Sequence, residues 1–168
     1  EPGKGTTFRI LFPVSAHPAS QIEAKPDATV GIPDALAVAT IMVVDDERIV
    51  REFARDALTT RGYQVIEAAD GQEALNHLRE RGSTIAAILL DVTMPGISGH
   101  ELLWTLREMG IDSPVILSSG YSEPDALNRV DGVSEVSFIQ KPYTHEQLLD
   151  TVAAAVTRWQ QLHPTRKS

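Results

Sequence analysis

The sequence predicts an α/β fold, a doubly wound parallel sheet of five strands in the order 2-1-3-4-5 with helices on both faces. Three observations carry this. Short apolar runs at residues 39–44, 64–68, 85–90, 114–117 and 135–139 alternate with stretches of helical periodicity, the pattern of repeated strand–helix crossovers. The run Ile85–Leu90 (I-A-A-I-L-L) is apolar without alternation, as suits a strand buried on both faces of a parallel sheet. The runs also end in polar residues, Asp45-Asp46, Asp91, Ser119 and Lys141, which right-handed crossovers bring to one edge of the sheet.

Composition narrows the class. The chain has 168 residues, 42% hydrophobic and 23% charged, which fits one globular domain with extra segments. No apolar run approaches membrane-spanning length, and no signal-peptide pattern is present. A net charge of −8 argues against a nucleic-acid surface, which needs a basic stripe. The absence of cysteine excludes a disulfide framework and a thiolate site, and fits a cytoplasmic location. The first residue is not Met, so a longer parent chain is expected.

Taken in order, residues 1–14 (E-P-G-K-G-T-T-F-R-I-L-F-P-V) give a glycine turn followed by a short strand pattern from Thr7 to Phe12. A phosphate-cradling loop would lead into a helix, and this one leads into a strand. The segment resembles the end of the ATP-binding domain of sensor histidine kinases, where a G-x-G-[ST] turn precedes a T-F-x-[IV]-x-[LF]-P strand. That resemblance makes residues 1–14 the remnant of a preceding kinase domain, too short to bind ATP. Residues 15–38 carry prolines at 18, 26 and 33 and little periodicity, and read as a Pro/Ala-rich linker. A flexible tether of about 20 residues has a root-mean-square reach on the order of 25 Å.

Ala39–Val44 is the first strand, ending in Asp45-Asp46. The helix after it places Ile49, Phe53 and Ala57 on one row and Val50, Ala54 and Leu58 beside it, and Gly62 closes it. Gln64–Ala68 is the second strand. Asp70 then caps a helix with Glu73 three residues on and Ala74, Leu75 and Leu78 inside. After the Asp91 strand, Ser98 and Glu101 form a capping box for a helix with Leu102, Leu103, Leu106 and Met109 inside. Pro114–Leu117 is the fourth strand, and a short helix is expected from near Ser122. Glu135–Ile139 is the fifth strand. Thr144 and Gln147 form a second capping box, opening a last helix with Leu148, Val152, Val156 and Trp159 on one face. Residues 163–168 form a tail, so the organised domain is 39–162.

At the topological switch point, Asp45 and Asp46 from the first strand face Asp91 from the third. Converging carboxylates raise one another's pKa unless a cation intervenes, and an all-oxygen set suits Mg²⁺. Lys141 adds a second positive charge and Ser119 a hydroxyl. A carboxylate nucleophile, a hard cation, an ammonium and a hydroxyl are the parts for stabilising a phosphoryl group in transfer. The residues therefore read as a Mg²⁺-dependent aspartyl-phosphate site.

Residues 40–162 resemble a receiver domain of the two-component response-regulator family. The resemblance rests on Asp45-Asp46, Asp91 with Met94-Pro95-Gly96 after it, Ser119-Gly120 and Lys141-Pro142. It implies a flavodoxin-like fold in which Asp91 accepts a phosphoryl group from a phosphohistidine. It further implies that Asp46, the Asp91 carboxylate and the Thr93 backbone carbonyl hold Mg²⁺, with Asp45 close by or bound through water. Lys141 and Ser119 are implied to contact the phosphoryl oxygens, and the Lys141-Pro142 bond to be cis. The implied partners are a histidine kinase, a histidine phosphotransfer protein or both. Together with residues 1–14, the resemblance implies the C-terminal receiver of a hybrid sensor histidine kinase, a monomer or weak dimer without kinase activity of its own. The parent kinase can be membrane-anchored while this portion makes no membrane contact.

Two positions depart from the family's commonest residues. The switch aromatic is Phe138 rather than Tyr, so it can swing inward with Ser119 but cannot donate a hydrogen bond. Tyr121, two residues after Ser119, is bulky where a smaller or acidic side chain would let water approach. With Thr93, it implies slow loss of the phosphoryl group.

Each residue also has a plain reading. Asp91 alone is a solvated turn acid, Lys141 a surface lysine and Ser119 a turn residue; their weight comes from meeting at one edge. His145-Glu146 resembles the pair at a kinase's phosphorylated histidine but stands in a capping turn. His17, His77, His100 and His163 lack metal-ligand spacing, and Trp104 and Trp159 read as packing or rim residues. Two other functional classes remain at this point. A haloacid-dehalogenase-like Mg²⁺ phosphatase also uses Asp and Lys, but expects D-x-D-x-[TV] after its first strand, where this chain has Asp45-Asp46. A receiver serving only as a protein-binding scaffold would not need the intact acidic set.

Overall fold

A computed structural model describes residues 39–121 and 135–162. The segments 1–14, 15–38 and 163–168 and the helix expected from near Ser122 lie outside the described residues. Within them, β1 (Thr40–Val44), β2 (Gln64–Ala68), β3 (Ile85–Asp91), β4 (Val115–Ser119) and β5 (Val136–Gln140) form one sheet in the order β2-β1-β3-β4-β5. Every pairing is parallel. This is the flavodoxin-like order expected from the sequence. The helices are α1 (Arg48–Thr60), α2 (Gly71–Arg81), α3 (Gly99–Glu108) and α4 (His145–Leu162).

The sheet divides the core in two. On one face Met42, Val44, Ile88, Leu90 and Leu117 meet Ala74, Leu75 and Leu78 of α2 and Leu102, Leu103 and Leu106 of α3. On the other, Ile41, Val43, Ala87, Leu89 and Ile116 meet Ala54, Ala57 and Leu58 of α1 and Leu148, Val152 and Val156 of α4. The period-2 alternation along each strand produces this split, and it fixes which way the residues at the strand ends continue.

Local signals hold the helix starts. The Asp70 side chain accepts from the Glu73 N–H at 2.8 Å. Ser98 and Glu101 form the reciprocal capping box, and Thr144 and Gln147 form another, with the Gln147 N–H donating to Thr144 Oγ1 at 3.2 Å and the Thr144 N–H donating to Gln147 Oε1 at 2.8 Å. Gly62 has φ +83°, as a left-handed turn after α1 requires.

Two apolar positions differ from expectation. Ile49 is 80% exposed, not on the inner row of α1, whose buried residues are Ala54, Ala57 and Leu58. It stands in the first turn, beyond the end of β1, before the helix runs alongside the sheet. Met109 follows the last turn of α3 and is 38% exposed for the same reason at the other end. Trp104 is half exposed, a rim residue.

Candidate acidic site at the sheet edge

β1 and β3 are neighbours, in register up to Val44 opposite Leu90. Asp45 and Asp91 therefore leave the sheet side by side. Both follow residues, Val43 and Leu89, that face α1 and α4, so alternation sends both carboxylates toward that face. Asp45 is 3% and Asp91 5% exposed; Asp46, one residue on, is exposed. Carboxylate oxygens of Asp45, Asp46 and Asp91 lie within 4.8 Å of one another, and among the described residues no histidine joins them.

Lys141 follows β5 and reaches into this cluster. Its Nζ donates to Asp45 Oδ2 at 2.6 Å and lies 3.3 Å from Asp91 Oδ2. The Lys141-Pro142 peptide is cis. Backbone donors complete the pocket: the Glu47 N–H donates to Asp45 Oδ1 at 2.9 Å and the Thr93 N–H to Asp91 Oδ1 at 3.3 Å.

The electrostatics follow from crowding. Burial pushes the Asp91 carboxyl above its ordinary range; Asp45 adds to this, while Lys141 and the Thr93 N–H oppose it without cancelling it. Burial pulls Lys141 down, but the hydrogen bond and charge of Asp45, followed by Asp91, outweigh it and hold the ammonium above its usual value. The site thus favours a nearby positive charge. Three convergent oxygen donors with one open, exposed member fit a hard divalent cation that keeps part of its water shell.

The remaining candidates are placed around this centre. Ser119 ends β4, is 1% exposed, and accepts from the Tyr121 N–H at 3.0 Å through Oγ. Tyr121 is 64% exposed. Phe138 pairs with Leu117 in the β4–β5 register and packs partly buried against the α2/α3 face of the core. Thr93 is exposed, with its amide on Asp91. His145 packs against Phe53 of α1, with ring centroids 4.3 Å apart and planes inclined by 36°.

Sequence reading passed over two residues beside this centre. Arg51 of α1 donates through Nη1 to the backbone carbonyls of both Asp45 and Asp46. Its position one turn into a helix after the acidic pair was the available signal. Gly99 opens α3 directly against the Asp91 carbonyl, where a Cβ would collide with backbone. Its place in a capping box hid that second role.

The response regulator receiver domain family matches residues 41–153, which contain all of this edge. The chain belongs to that family. Membership replaces the dehalogenase-like alternative. Among similar proteins, the sensor kinase CckA of Brucella abortus is 36% identical over 156 residues, covering 90% of this chain and 16% of that kinase. The chain thus spans a small part of that kinase's length. A solved receiver domain of the hybrid histidine kinase CckA is 37% identical with a TM-score of 0.61, covering 70% of this chain and 99% of the other. The chemotaxis protein CheY4 of Vibrio cholerae aligns with a TM-score of 0.65 at 28% identity, over 70% of this chain and 98% of its own. The acidic cluster is thus the acidic pocket of a receiver domain. Among the described residues, no helix is long and apolar enough to cross a membrane.

Proposed function

We propose that Asp91 is the phospho-acceptor of a two-component phosphorelay, acting with Mg²⁺. The observation that carries this is the Lys141 ammonium 3.3 Å from Asp91 Oδ2 at the end of β3, with Asp45 and Asp46 alongside. In the reaction an Asp91 oxygen bonds to phosphorus as the phosphorus–nitrogen bond to a histidine breaks. The bonding pair stays on the imidazole nitrogen. Asp45, Asp46, Asp91 and the Thr93 carbonyl would hold Mg²⁺, which neutralises charge on the phosphoryl oxygens. Lys141 exchanges its carboxylate contacts for a phosphoryl oxygen, and the Ser119 hydroxyl donates to another. Movement of Ser119, followed by Phe138, would carry the phosphorylated state to partner contacts.

The partners in this reading are a histidine kinase, a histidine phosphotransfer protein or both, in the cytoplasm, with the domain monomeric or weakly dimeric. Its parent is a hybrid sensor histidine kinase, with residues 1–14 the end of the ATP-binding domain, 15–38 a linker, 39–162 the receiver and 163–168 a tail. The match to CckA supports this attachment. Ninety per cent of 168 residues is about 151, and only about 130 lie from residue 39 onward. That similarity therefore extends into the segment before the domain.

Intact mass after incubation with Mg²⁺ and acetyl phosphate tests the acceptor chemistry. One phosphoryl group gained, blocked by chelator and absent from Asp91→Asn, is the expected result. A phosphorylated Asp91→Asn protein would place the acceptor elsewhere. No gain from acetyl phosphate or from phosphorylated CckA-type kinase would leave the scaffold role in its place.

A further inference from the structure

Resting on the Mg²⁺ reading of the acidic pocket, we propose that Arg51 is a positioning residue for the cation, fixing the backbone from which Asp45 and Asp46 project. Its Nη1 donates to Asp45 O at 2.6 Å and to Asp46 O at 3.1 Å. These carbonyls lie where β1 has left the sheet, so no strand partner holds them. The last pairing on this side is the Asp45 N–H to Ala68 O, at 3.2 Å. The guanidinium is itself held: its Nε lies 3.7 Å from Glu67 Oε2 on β2, and the side chain is only 14% exposed.

The consequence falls mainly on Asp46. Asp45 is already oriented by Lys141 and by the Glu47 N–H. Among the described residues the Asp46 carboxylate has no hydrogen-bond partner, so its aim depends on its backbone. Two successive carbonyls gripped by one planar guanidinium fix the peptide planes on either side of Asp46. Lysine, with a single nitrogen on a flexible stem, cannot hold both carbonyls and also reach Glu67, as Nη1 and Nε of the one rigid guanidinium do.

Charge and geometry make opposite forecasts, which separates this role from simple electrostatics. A cation beside a metal site repels the metal, so deleting Arg51 by charge alone tightens Mg²⁺ binding. Loss of positioning weakens it. A further discriminator is the metal. Mg²⁺ demands near-octahedral geometry, whereas Ca²⁺ tolerates irregular and flexible ligand sets. Misaimed carboxylates should therefore penalise Mg²⁺ more than Ca²⁺.

The test is calorimetric titration of the full chain with Mg²⁺ and with Ca²⁺, for the parent, Arg51→Lys, Arg51→Met and Arg55→Met. Arg55 also binds Glu67, at 3.0 Å, but makes no hydrogen bond to the Asp45 or Asp46 carbonyls, so Arg55→Met controls for the α1–β2 tie. Arg51→Lys, which keeps the charge and is the variant safest for folding, is expected to bind Mg²⁺ about tenfold more weakly, as loss of an outer-shell partner does. Its Ca²⁺ affinity should fall less, and Arg55→Met should match the parent. Equal Mg²⁺ affinity in parent and Arg51→Lys, tighter binding by Arg51→Met, or an equal fall for both metals would each overturn the proposal. A parent chain that binds no Mg²⁺ would overturn it together with the metal reading, a failure visible before any variant is compared.

Discussion

Lys141 Nζ lies nearer to Asp45, at 2.6 Å, than to Asp91, at 3.3 Å, so the lysine serves chiefly to neutralise the first-strand acid. Both carboxylates are almost wholly buried, and the ammonium is the cation that makes their burial tolerable. Lys141 and a divalent cation therefore compete for the same oxygens. Lys141→Met should destabilise the metal-free protein by about 2–4 kcal/mol, because two buried acids lose their partner. It should also tighten Mg²⁺ binding, and added Mg²⁺ should restore most of the lost stability. Urea unfolding with and without Mg²⁺ measures both. A variant as stable as the parent without metal would show that the acids need no counter-charge.

Asp91 supplies a pH dependence with a definite sign. Its carboxyl is raised above 3.8 in the folded state, mainly by burial, so the folded protein holds that proton more tightly than the unfolded chain does. Its contribution to stability is therefore greatest in acid and declines as pH rises from about 3.8 through the raised folded value. Lys141 follows the same sign in a higher range: its raised value means its contribution is present below about 10.5 and is lost as pH climbs through the folded value. Asp91→Asn removes the first dependence. In metal-free buffer at neutral pH it should melt at a higher temperature than the parent, with the gap closing toward pH 4. A lower melting temperature for Asp91→Asn at pH 7 would contradict this.

On the proposed acceptor chemistry, a third prediction concerns Tyr121 and the lifetime of phosphorylated Asp91. Its N–H fastens the turn to the Ser119 hydroxyl at 3.0 Å, while its side chain stays 64% exposed at the rim. The proposed role is that a bulky ring at this position would restrict the path of an attacking water, since excluding water slows hydrolysis of reactive intermediates. Tyr121→Ala should leave the Ser119 contact intact, since that contact is to backbone, and should speed loss of the phosphoryl group several-fold. Decay of the phosphorylated mass at fixed Mg²⁺ gives the rate directly. An unchanged rate would remove Tyr121 from the account.

Tyr143 is a different kind of aromatic. Its hydroxyl is buried near the Ser118 hydroxyl, yet neither group makes a well-formed hydrogen bond. Burial is the main reason its phenol is pushed above the ordinary range. The ring still packs near Phe53, 6.0 Å between centroids, and against the α1/α4 face. Tyr143→Phe keeps that packing and removes an underused polar group. It should change stability by no more than about 1 kcal/mol, in the stabilising direction. A loss larger than that, in urea unfolding, would reveal a hydroxyl interaction worth keeping.

Much of this was legible in the chain because local and global signals agree. The apolar run ending at Asp91 suits a buried strand, and strand–helix alternation then fixed the edge to which Asp45, Asp46, Ser119 and Lys141 come. Asp70, Ser98 and Thr144 marked three helix starts that the hydrogen bonds reproduce. Periodicity failed at Ile49 and Met109, since a helical wheel carries no information on where the helix overhangs the sheet. It was silent on Arg51, whose one signal was its place a turn into the helix after the acidic pair, because hydrophobic periodicity does not register a side chain that binds backbone carbonyls. The Tyr143–Ser118 pair was hidden for a related reason: only packing brings residues from β4 and the loop after β5 together.

Gly99 shows how closely β3 is joined to the helix after it. A Cβ at this position would overlap the Asp91 carbonyl oxygen and come within 2.9 Å of the Val92 Cα. The obstruction is backbone, which cannot rotate aside as a side-chain tip can. The Gly99 N–H also donates to Val92 O at 3.2 Å, so α3 begins directly against the end of β3. Gly99→Ala must push α3 or the Asp91 peptide away, and overpacking against backbone costs on the order of 2–3 kcal/mol. Because the displaced atoms belong to Asp91 itself, Mg²⁺ affinity should fall along with stability. An equally demanding change remote from the pocket, Leu106→Ala in the α3 core, should cost a comparable 2–5 kcal/mol yet leave Mg²⁺ affinity near the parent's. Paired urea unfolding and Mg²⁺ titration of the two variants distinguish them. If both lose stability and neither loses affinity, the close approach of Gly99 serves packing alone.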